Sequence, residues 1–233
     1  MKSPETPPPG GMLLLNKPPG RTSFQALGQV KKALGTKKVG HTGTLDKFAS
    51  GLLIALAGKA TKLVPRFEAF DKTYIGEITF GKETDTLDPE GSIIAEAPLP
   101  GLAALEASLA EFRGEILQKP PAYSALHING KRAYELARSG EAPEMKARPV
   151  SIYSLELLSY QEEDGRVRSA VIRAEVSKGT YIRSLARDIA LAAGSRGYLS
   201  ALTRIKIGDY KLEDALDLET ADNQAIIDAL NTI

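Results

Sequence analysis

Residues that can do chemistry are densest between positions 40 and 46, which read GHTGTLD. The two glycines let a ligand approach the backbone closely, and His41 can stack on a base or hydrogen-bond to it. Asp46 is the only acid in residues 16–66, a stretch that also holds ten lysines and arginines. Because nearby cations favour the ionised form of a carboxyl group, Asp46 is a candidate nucleophile or general base.

Two other uses of this stretch stay open on local chemistry alone. An aspartate in a loop commonly caps a helix, and the apolar run of residues 49–60 predicts a buried helix that Asp46 could cap. A glycine-rich loop can also hold a phosphate. However, the chain has neither G-x-x-x-x-G-K-[ST] nor G-x-G-x-x-G, which argues against the common nucleotide-binding loops.

Two further positions carry candidate chemistry. Arg183 closes the stretch KGTYIR at a predicted strand-to-helix corner, where its guanidinium could pair with a carboxylate or a phosphate. The alternative is an arginine that only solvates a helix start. Tyr74 lies in a predicted strand, where an aromatic side chain is more commonly part of the core than a ligand contact.

Charge is distributed unevenly along the chain. Net charge is only +1, yet residues 16–66 carry +9 and residues 178–206 carry +5, which leaves −13 for the rest. Such asymmetry favours an anionic partner such as nucleic acid, although the charges could also mix on the folded surface.

The elements that must position these residues alternate irregularly between helix and strand, which predicts an α+β fold. Ser23 is a predicted N-cap of a helix that Gly35 ends. Residues 119–149 form an irregular, basic-leaning insertion with a short helix near 133–139. The remaining predictions are a strand at 73–80, a helix at 102–112, paired strands at 151–160 and 168–176, and helices at 183–193 and 221–230.

Composition excludes several classes of protein. The chain has no cysteine and two histidines, which argues against disulfides, thiolate chemistry and a zinc site. No apolar run approaches the roughly 20 residues that cross a bilayer. Residues 1–11 are polar and proline-rich, as expected for a flexible tail and not for a secretory signal. Together these features predict a cytoplasmic protein.

Read in order, five groups of residues resemble the motifs of the TruB family of tRNA pseudouridine synthases. The catalytic loop of that family reads GHTG-x-LDP-x-A-x-G, and residues 40–51 here read GHTGTLDKFASG. The matches run over residues 12–208 and are Leu13–Gly20, Gly40–Gly51, Asp71–Tyr74 with Asp85–Gly91, Pro121–Leu126 with Gly130–Tyr134, and Lys178–Arg183.

The resemblance implies a role for each site residue. Asp46 would be the catalytic aspartate, and Arg183 would pair with it and hold it ionised. Tyr74 would stack on the target base beside its reacting carbons. The resemblance assigns the supporting roles as follows: His41 helps the RNA to turn its bases outward, Tyr181 and Leu202 line the uracil pocket, and Lys17 supports the catalytic loop.

The resemblance also implies the fold and the reaction. We expect a pseudouridine synthase fold, with a central mixed, mostly antiparallel sheet in a catalytic domain at 12–208 and an acidic helical tail at 209–233. The expected reaction converts uridine 55 in the TψC arm of tRNA to pseudouridine, with no cofactor and no metal. The expected enzyme is a monomer that needs neither a membrane nor an obligate protein partner nor a guide RNA.

Two departures from the family pattern bear on this expectation. Lys47 replaces the usual proline after the aspartate and adds a cation beside Asp46. The family commonly carries a C-terminal RNA-binding domain, which we expect to be absent here, so the insertion at 119–149 would supply more of the RNA contact. Two alternatives are an RNA-binding or RNA-folding module that needs no catalysis, and a general anion-binding protein.

Overall fold

The computed structural model describes residues 10–124, 126–128, 130–139 and 145–232. Helices and strands mix without a repeated βαβ order, so the predicted α+β class is confirmed. The helices are α1 Ser23–Ala33, α2 Val64–Glu68, α3 Leu102–Glu111, α4 Ala133–Arg138, α5 Ile182–Ala192 and α6 Asn223–Asp228. The strands are β1 Gly11–Lys17, β2 Val39–His41, β3 Ser50–Ala57, β4 Lys72–Phe80, β5 Lys82–Thr84, β6 Ile93–Glu96, β7 Gly114–Gln118, β8 His127–Ile128, β9 Lys131–Arg132, β10 Arg148–Glu163, β11 Arg166–Val176, β12 Gly197–Ile207, β13 Tyr210–Lys211, β14 Leu216–Asp217 and β15 Asn231–Thr232.

The chain divides into two compact units. Unit 1 combines residues 1–74 with residues 203–233, and unit 2 is the continuous stretch 75–202. The predicted tail at 1–11 lies outside the described residues except for its last two, of which Gly11 begins β1. Parts of the predicted insertion at 119–149 also lie outside them, namely residues 125, 129 and 140–144.

Unit 1 contains the strand order β14-β1-β3-β12. Strands β1 and β3 are antiparallel, whereas β14 runs parallel to β1 and β12 runs parallel to β3. The sheet is therefore mixed, as predicted. Leu13 and Leu15 of β1 are fully buried against the apolar face of α1, which brings the start of the chain and the first helix into one core.

The apolar run that predicted a helix at residues 49–60 forms the strand β3, so that prediction is wrong. Seven of the eight residues of β3 are buried, because a separate cluster of apolar side chains packs on each face of the strand. A strand buried on both faces loses the alternation of apolar and polar residues, and a short apolar run does not distinguish it from a buried helix.

The acidic C-terminal segment is part of the core of unit 1, whereas the sequence predicted a helical tail at 209–233. It supplies the short helix α6 and two strands that pair with β1. Leu218 and Ile226 are buried in the same cluster as Leu13 and Leu15. Its acidic residues lie on the exposed side, so the sequence pattern shows its charge more clearly than its buried face.

Unit 2 contains the strand order β12-β4-β11-β10-β7. The long hairpin of β10 and β11 matches the predicted paired strands, and α3, α4 and α5 lie where the sequence predicted helices. Gly197 lets α5 pack tightly, because a Cβ atom there would lie 2.7 Å from the Cβ of Ala190. This packing holds the last turn of α5, the helix at whose start two predicted site residues lie.

No helix in the described part of the chain is long and apolar enough to cross a membrane.

Candidate active site

The loop that carries Asp46 connects β2 to β3 within unit 1. The alternative in which Asp46 caps a helix fails, because the segment after the loop is a strand and not a helix. Asp46 is half-buried, and its backbone carbonyl accepts a hydrogen bond from the amide of Ala49 at 3.2 Å. The loop is therefore a compact turn that needs contacts from other segments to hold its position.

Arg204 of β12 supplies one of these contacts. Its side chain is only 1% exposed. Nη2 donates to the carbonyl oxygen of Gly43 at 3.1 Å and Nε donates to that of Leu52 at 2.8 Å. A guanidinium group holds its donors in a rigid fork, so these two bonds fix the entrance of the loop relative to β3.

Gly51 explains why Arg204 can come so close. The residue has φ +103°, and a Cβ atom there would lie 2.8 Å from the backbone nitrogen of Arg204. Any larger residue would push β12 away from β3 and would also be strained at that φ. The last glycine of the GHTGTLDKFASG stretch is thus required by packing against the strand that carries Arg204.

Lys17 of β1 holds the other end of the loop. Its side chain is fully buried, and Nζ donates to the carbonyl oxygens of Ala49 at 2.6 Å, Arg21 at 2.7 Å and Pro18 at 3.0 Å. An ammonium group has three donors and no acceptor, so all of them are used. Burial lowers the pKa of Lys17 to about 8, an effect that the charge of Asp46 opposes and that of Arg204 reinforces.

The middle of the loop is tied to the start of α1. The hydroxyl of Ser23 accepts from the amide of Leu45 at 2.9 Å and lies 3.1 Å from the carbonyl oxygen of the same residue. The amide of Gly20 donates to the carbonyl oxygen of Lys47 at 2.8 Å. The residues on both sides of Asp46 are therefore fixed. Ser23 was the predicted N-cap of α1, but the N-cap in the structure is Thr22, whose side chain accepts a hydrogen bond from the amide of Gln25.

His41 ends β2, directly before the loop. Burial lowers the pKa of its imidazole, and the charges of Arg204 and Lys31 lower it further. The ring is therefore neutral at pH 7. Its Nδ1 atom is buried and meets no hydrogen-bond partner among the residues that the structure describes.

Tyr74 ends the first of the two segments of unit 1 and lies in β4. Its side chain is 9% exposed, so burial alone fits the core alternative as well as a base-stacking role. The polar and aromatic residues of unit 1 that the sequence singled out are Lys17, His41, Asp46 and Tyr74. The structure couples Asp46 electrostatically to Lys17.

Arg183 lies in the first turn of α5 in unit 2 and is 5% exposed. Its Nη1 atom forms a buried ion pair with Oδ2 of Asp88 at 3.1 Å and donates to the carbonyl oxygen of Thr86 at 2.8 Å. Nη2 donates to the carbonyl oxygen of Tyr123 at 2.9 Å. The predicted pairing of Arg183 with Asp46 concerns residues of different units and stays a prediction.

Tyr181 is the N-cap residue of α5. The buried side-chain amide of Gln118 forms two hydrogen bonds with the backbone of Tyr181. Its Nε2 donates to the carbonyl oxygen of Tyr181 at 3.1 Å, and its Oε1 accepts from the backbone N–H of Tyr181 at 2.8 Å. The guanidinium carbon of Arg148 lies 5.1 Å from the centre of the tyrosine ring. The ring is therefore held by a fixed backbone on one side and by a cation on the other.

Leu202 is 7% exposed and lies in β12 opposite Gly76 of β4, where a Cβ atom would lie 3.5 Å from its Cδ1. Unit 2 thus contains Tyr181, Arg183 and Leu202. No group of three or more histidine, aspartate or glutamate side chains that could hold a metal occurs among the described residues.

Sequence reasoning missed four residues that position the site, namely Ser23 as a loop contact, Asp88, Gln118 and Arg204. Asp88 lies in the acidic turn and Arg204 in the second basic stretch, so both were visible as charges. Their partners are 95 and 161 residues away along the chain, and no local pattern links such distant positions.

Comparison with known proteins gives a consistent result. A family model described as TruB family pseudouridylate synthase (N terminal domain) matches residues 31–182. The chain is 48% identical over 206 residues to tRNA pseudouridine synthase B of Borreliella afzelii (strain PKo), covering 88% of this chain and 72% of the relative. It is 46% identical over 215 residues to the protein of the same name from Novosphingobium aromaticivorans, covering 90% and 71%.

Solved structures agree with the fold. A chain in a Cbf5-Nop10-Gar1 complex has a TM-score of 0.69 at 28% identity and covers 95% of this chain and 59% of its own length. A chain in an H/ACA RNP bound to a substrate RNA containing 2'-deoxyuridine has a TM-score of 0.65 at 28% identity, with coverages of 90% and 51%. The present chain therefore spans between half and three-fifths of these solved chains. The predicted pseudouridine synthase fold is confirmed, and the chain belongs to the TruB family of pseudouridylate synthases.

Proposed function

We propose that this chain isomerises uridine 55 in the TψC arm of tRNA to pseudouridine, with Asp46 as the catalytic carboxylate. The observation that carries the proposal is the position of Asp46 in a loop held from three sides. Arg204 holds the entrance, Ser23 holds the residue before the aspartate, and Lys17 holds the exit. A reacting group needs such preorganisation, since small displacements cost large factors in rate.

The reaction breaks the bond between N1 of uracil and C1′ of ribose, turns the base, and joins C5 to C1′. C5 then loses its proton and N1 gains one, so the reaction is an isomerisation without net redox change. A carboxylate can serve this path as nucleophile or as base. The charge of Lys17, which is coupled to that of Asp46, favours the ionised carboxylate that either role requires.

Uridine in a folded RNA has its base stacked, so the enzyme must turn the base out at a cost of a few kcal/mol. In this proposal Tyr74 stacks on the extruded uracil, while Tyr181 and Leu202 line its pocket. His41, whose pKa is lowered by burial, helps the RNA to turn its bases outward. Arg183 orients the carboxylate of Asp46, and Lys17 supports the loop without reacting.

Similarity to the curated relatives also supports action on tRNA without a guide RNA. The two bacterial relatives described above, both named tRNA pseudouridine synthase B, are 48% and 46% identical to this chain. The chains from the H/ACA and Cbf5 assemblies are 28% identical. We therefore propose an enzyme that acts alone, as a monomer, on tRNA.

The test uses a transcript of the T arm with the wild-type protein and the Asp46→Asn variant, which keeps the side-chain volume and removes the charge. Pseudouridine is mapped, and RNA binding is measured in parallel. The proposal expects product at position 55 from the wild type, at least a thousandfold less from the variant, and RNA binding by both. If the wild type binds RNA but forms no product, the chain is an RNA-binding module and the proposal fails.

A further inference from the structure

The exposed face of α1 has an unusual composition. Among the described residues, Phe24 is 72% exposed, and of the large exposed hydrophobic residues only Leu117, at 75%, is more exposed. The ammonium group of Lys31, two helical turns later, lies 4.8 Å from the centre of the phenyl ring. Between them, at helical spacing, is the exposed Gly28. We call these three residues the α1 face.

Gly28 leaves the middle of the α1 face without a side chain. A Cβ atom there would meet nothing within 4 Å, so neither packing nor a neighbouring element requires a glycine. A glycine inside a helix costs about 1 kcal/mol relative to alanine. The position therefore gives up stability and leaves a shallow depression in the helix surface beside the ring of Phe24 and the ammonium group of Lys31, where a ligand can approach the helix backbone.

The α1 face is directly connected to the loop of Asp46. Phe24 follows Ser23 in the chain and Asp46 follows Leu45, and Ser23 and Leu45 are hydrogen-bonded to each other. At the other end of the face, Lys31 lies close enough to His41 for its charge to lower the pKa of the imidazole. The face therefore lies beside the candidate site.

We propose that the α1 face binds the RNA strand next to the target uridine, with a base stacked on Phe24 and a phosphate held by Lys31. This inference rests on the proposed function, since it assumes an RNA substrate. An aromatic ring and a cation are the two contacts by which proteins bind single-stranded RNA. Charge complementarity selects RNA over a protein partner, because residues 16–66 carry ten basic residues and only Asp46 as an acid.

The first test replaces each contact in the full-length chain. Phe24→Ala removes the stack and should raise KM for the T-arm transcript fivefold to a hundredfold, with kcat changed less than twofold. Lys31→Ala should lower the slope of log KM against log salt by about 0.7 to 0.9. The controls are Ile227→Ala, an exposed apolar residue of α6, and Lys211→Ala, an exposed lysine paired with Glu213. Both controls should leave KM and its salt dependence unchanged.

Gly28→Ala separates RNA contact from a structural role. The substitution should stabilise α1 and so raise the denaturation midpoint, because the site has room for a methyl group. If RNA enters the depression, the same variant should raise KM severalfold. An unchanged KM in Gly28→Ala together with an unchanged KM in Phe24→Ala overturns the inference.

Fluorescence gives direct proof of contact. The chain has no tryptophan, so Phe24→Trp introduces a single indole on the α1 face, and Ile227→Trp introduces one on α6. Stacking should quench the first on addition of the T-arm transcript and leave the second unchanged. If the wild type forms pseudouridine but the fluorescence of Phe24→Trp is not quenched, the inference about the α1 face fails and the proposed function stands. If the wild type forms no pseudouridine, the proposed function fails.

Discussion

The guanidinium group of Arg204 donates to the carbonyl oxygen of Gly43 at 3.1 Å, three residues before the candidate catalytic aspartate. The same side chain donates to Leu52, the third residue of β3. One buried side chain thus connects the start of the loop to the strand that follows it. The position of Asp46 depends on a residue that lies 158 positions later in the sequence.

We predict that replacing Arg204 lowers turnover more than it raises KM. Arg204→Lys keeps the charge but cannot form the same forked pair of bonds, and Arg204→Met removes both. Each should lower kcat at least tenfold, because the loop loses its anchor. Only Arg204→Met should raise the pKa of His41, measured by NMR, since Arg204 lowers that pKa through its charge. An unchanged kcat in both variants contradicts the anchoring role.

The buried pair of Arg183 and Asp88 should make a large contribution to stability. Asp88→Asn leaves the guanidinium group buried without its anionic partner, which costs about 3 kcal/mol of unfolding free energy. Glu213→Gln is the control, because its ion pair with Lys211 is exposed and should contribute less than about 1 kcal/mol. Urea denaturation measures both. Equal losses in the two variants would mean that Asp88 does not compensate the charge of Arg183.

Lys17 should make stability and activity respond to pH in opposite directions. Its pKa is about 8 in the folded chain, below the ordinary 10.5. Between these two pH values Lys17 is protonated more fully in the unfolded chain than in the folded chain. The unfolding free energy therefore rises with pH, by about 2 kcal/mol from pH 7.5 to 9.5. Over the same interval the neutral amine has two donors for three carbonyl groups, so kcat should fall.

The Lys17→Met variant isolates this effect. Its unfolding free energy should lack the rise that the wild type shows between pH 7.5 and 9.5, and its kcat should be low at both values. Urea denaturation and initial rates at the two pH values provide the measurement. If the unfolding free energy of the wild type changes with pH as that of Lys17→Met does, groups other than Lys17 cause the pH dependence.

Tyr74 should contribute to turnover more than to binding. Tyr74→Phe keeps the ring that the proposed function places on the extruded base, and Tyr74→Ala removes it. We expect single-turnover rates to fall at least a hundredfold in Tyr74→Ala, while Kd for the T-arm transcript rises less than tenfold. Loss of binding with an unchanged rate on bound RNA would make Tyr74 an RNA anchor only.

The sequence predicted the elements whose residues follow a clear period. Helices α3 and α5 and the hairpin of β10 and β11 show such a period, and each begins within a few residues of its predicted position. Strand β3 was mistaken for a helix because it is apolar on both faces, so the run had no period to read. Residues 209–233 show their charge in the sequence, whereas only the fold reveals that Leu218 and Ile226 are core residues.

For the candidate site, the motifs indicated which residues to examine but not what holds them. Loop composition and charge singled out Asp46, and the KGTYIR stretch singled out Arg183. The contacts of Arg204 with Gly43 and of Arg183 with Asp88 join distant segments. A lone buried arginine has the same local sequence context as an exposed one, so only the folded chain identifies these partners.

The division of unit 1 between residues 1–74 and 203–233 has a consequence for synthesis on the ribosome. Translation at 5 to 20 residues per second needs roughly 10 to 30 s to extend the chain from Tyr74 to Thr232. During that time β1 lacks β14 and β15, and Gly43 lacks Arg204. The nascent chain therefore has Asp46 early, but the loop that carries this residue is fixed only after unit 2 has been made.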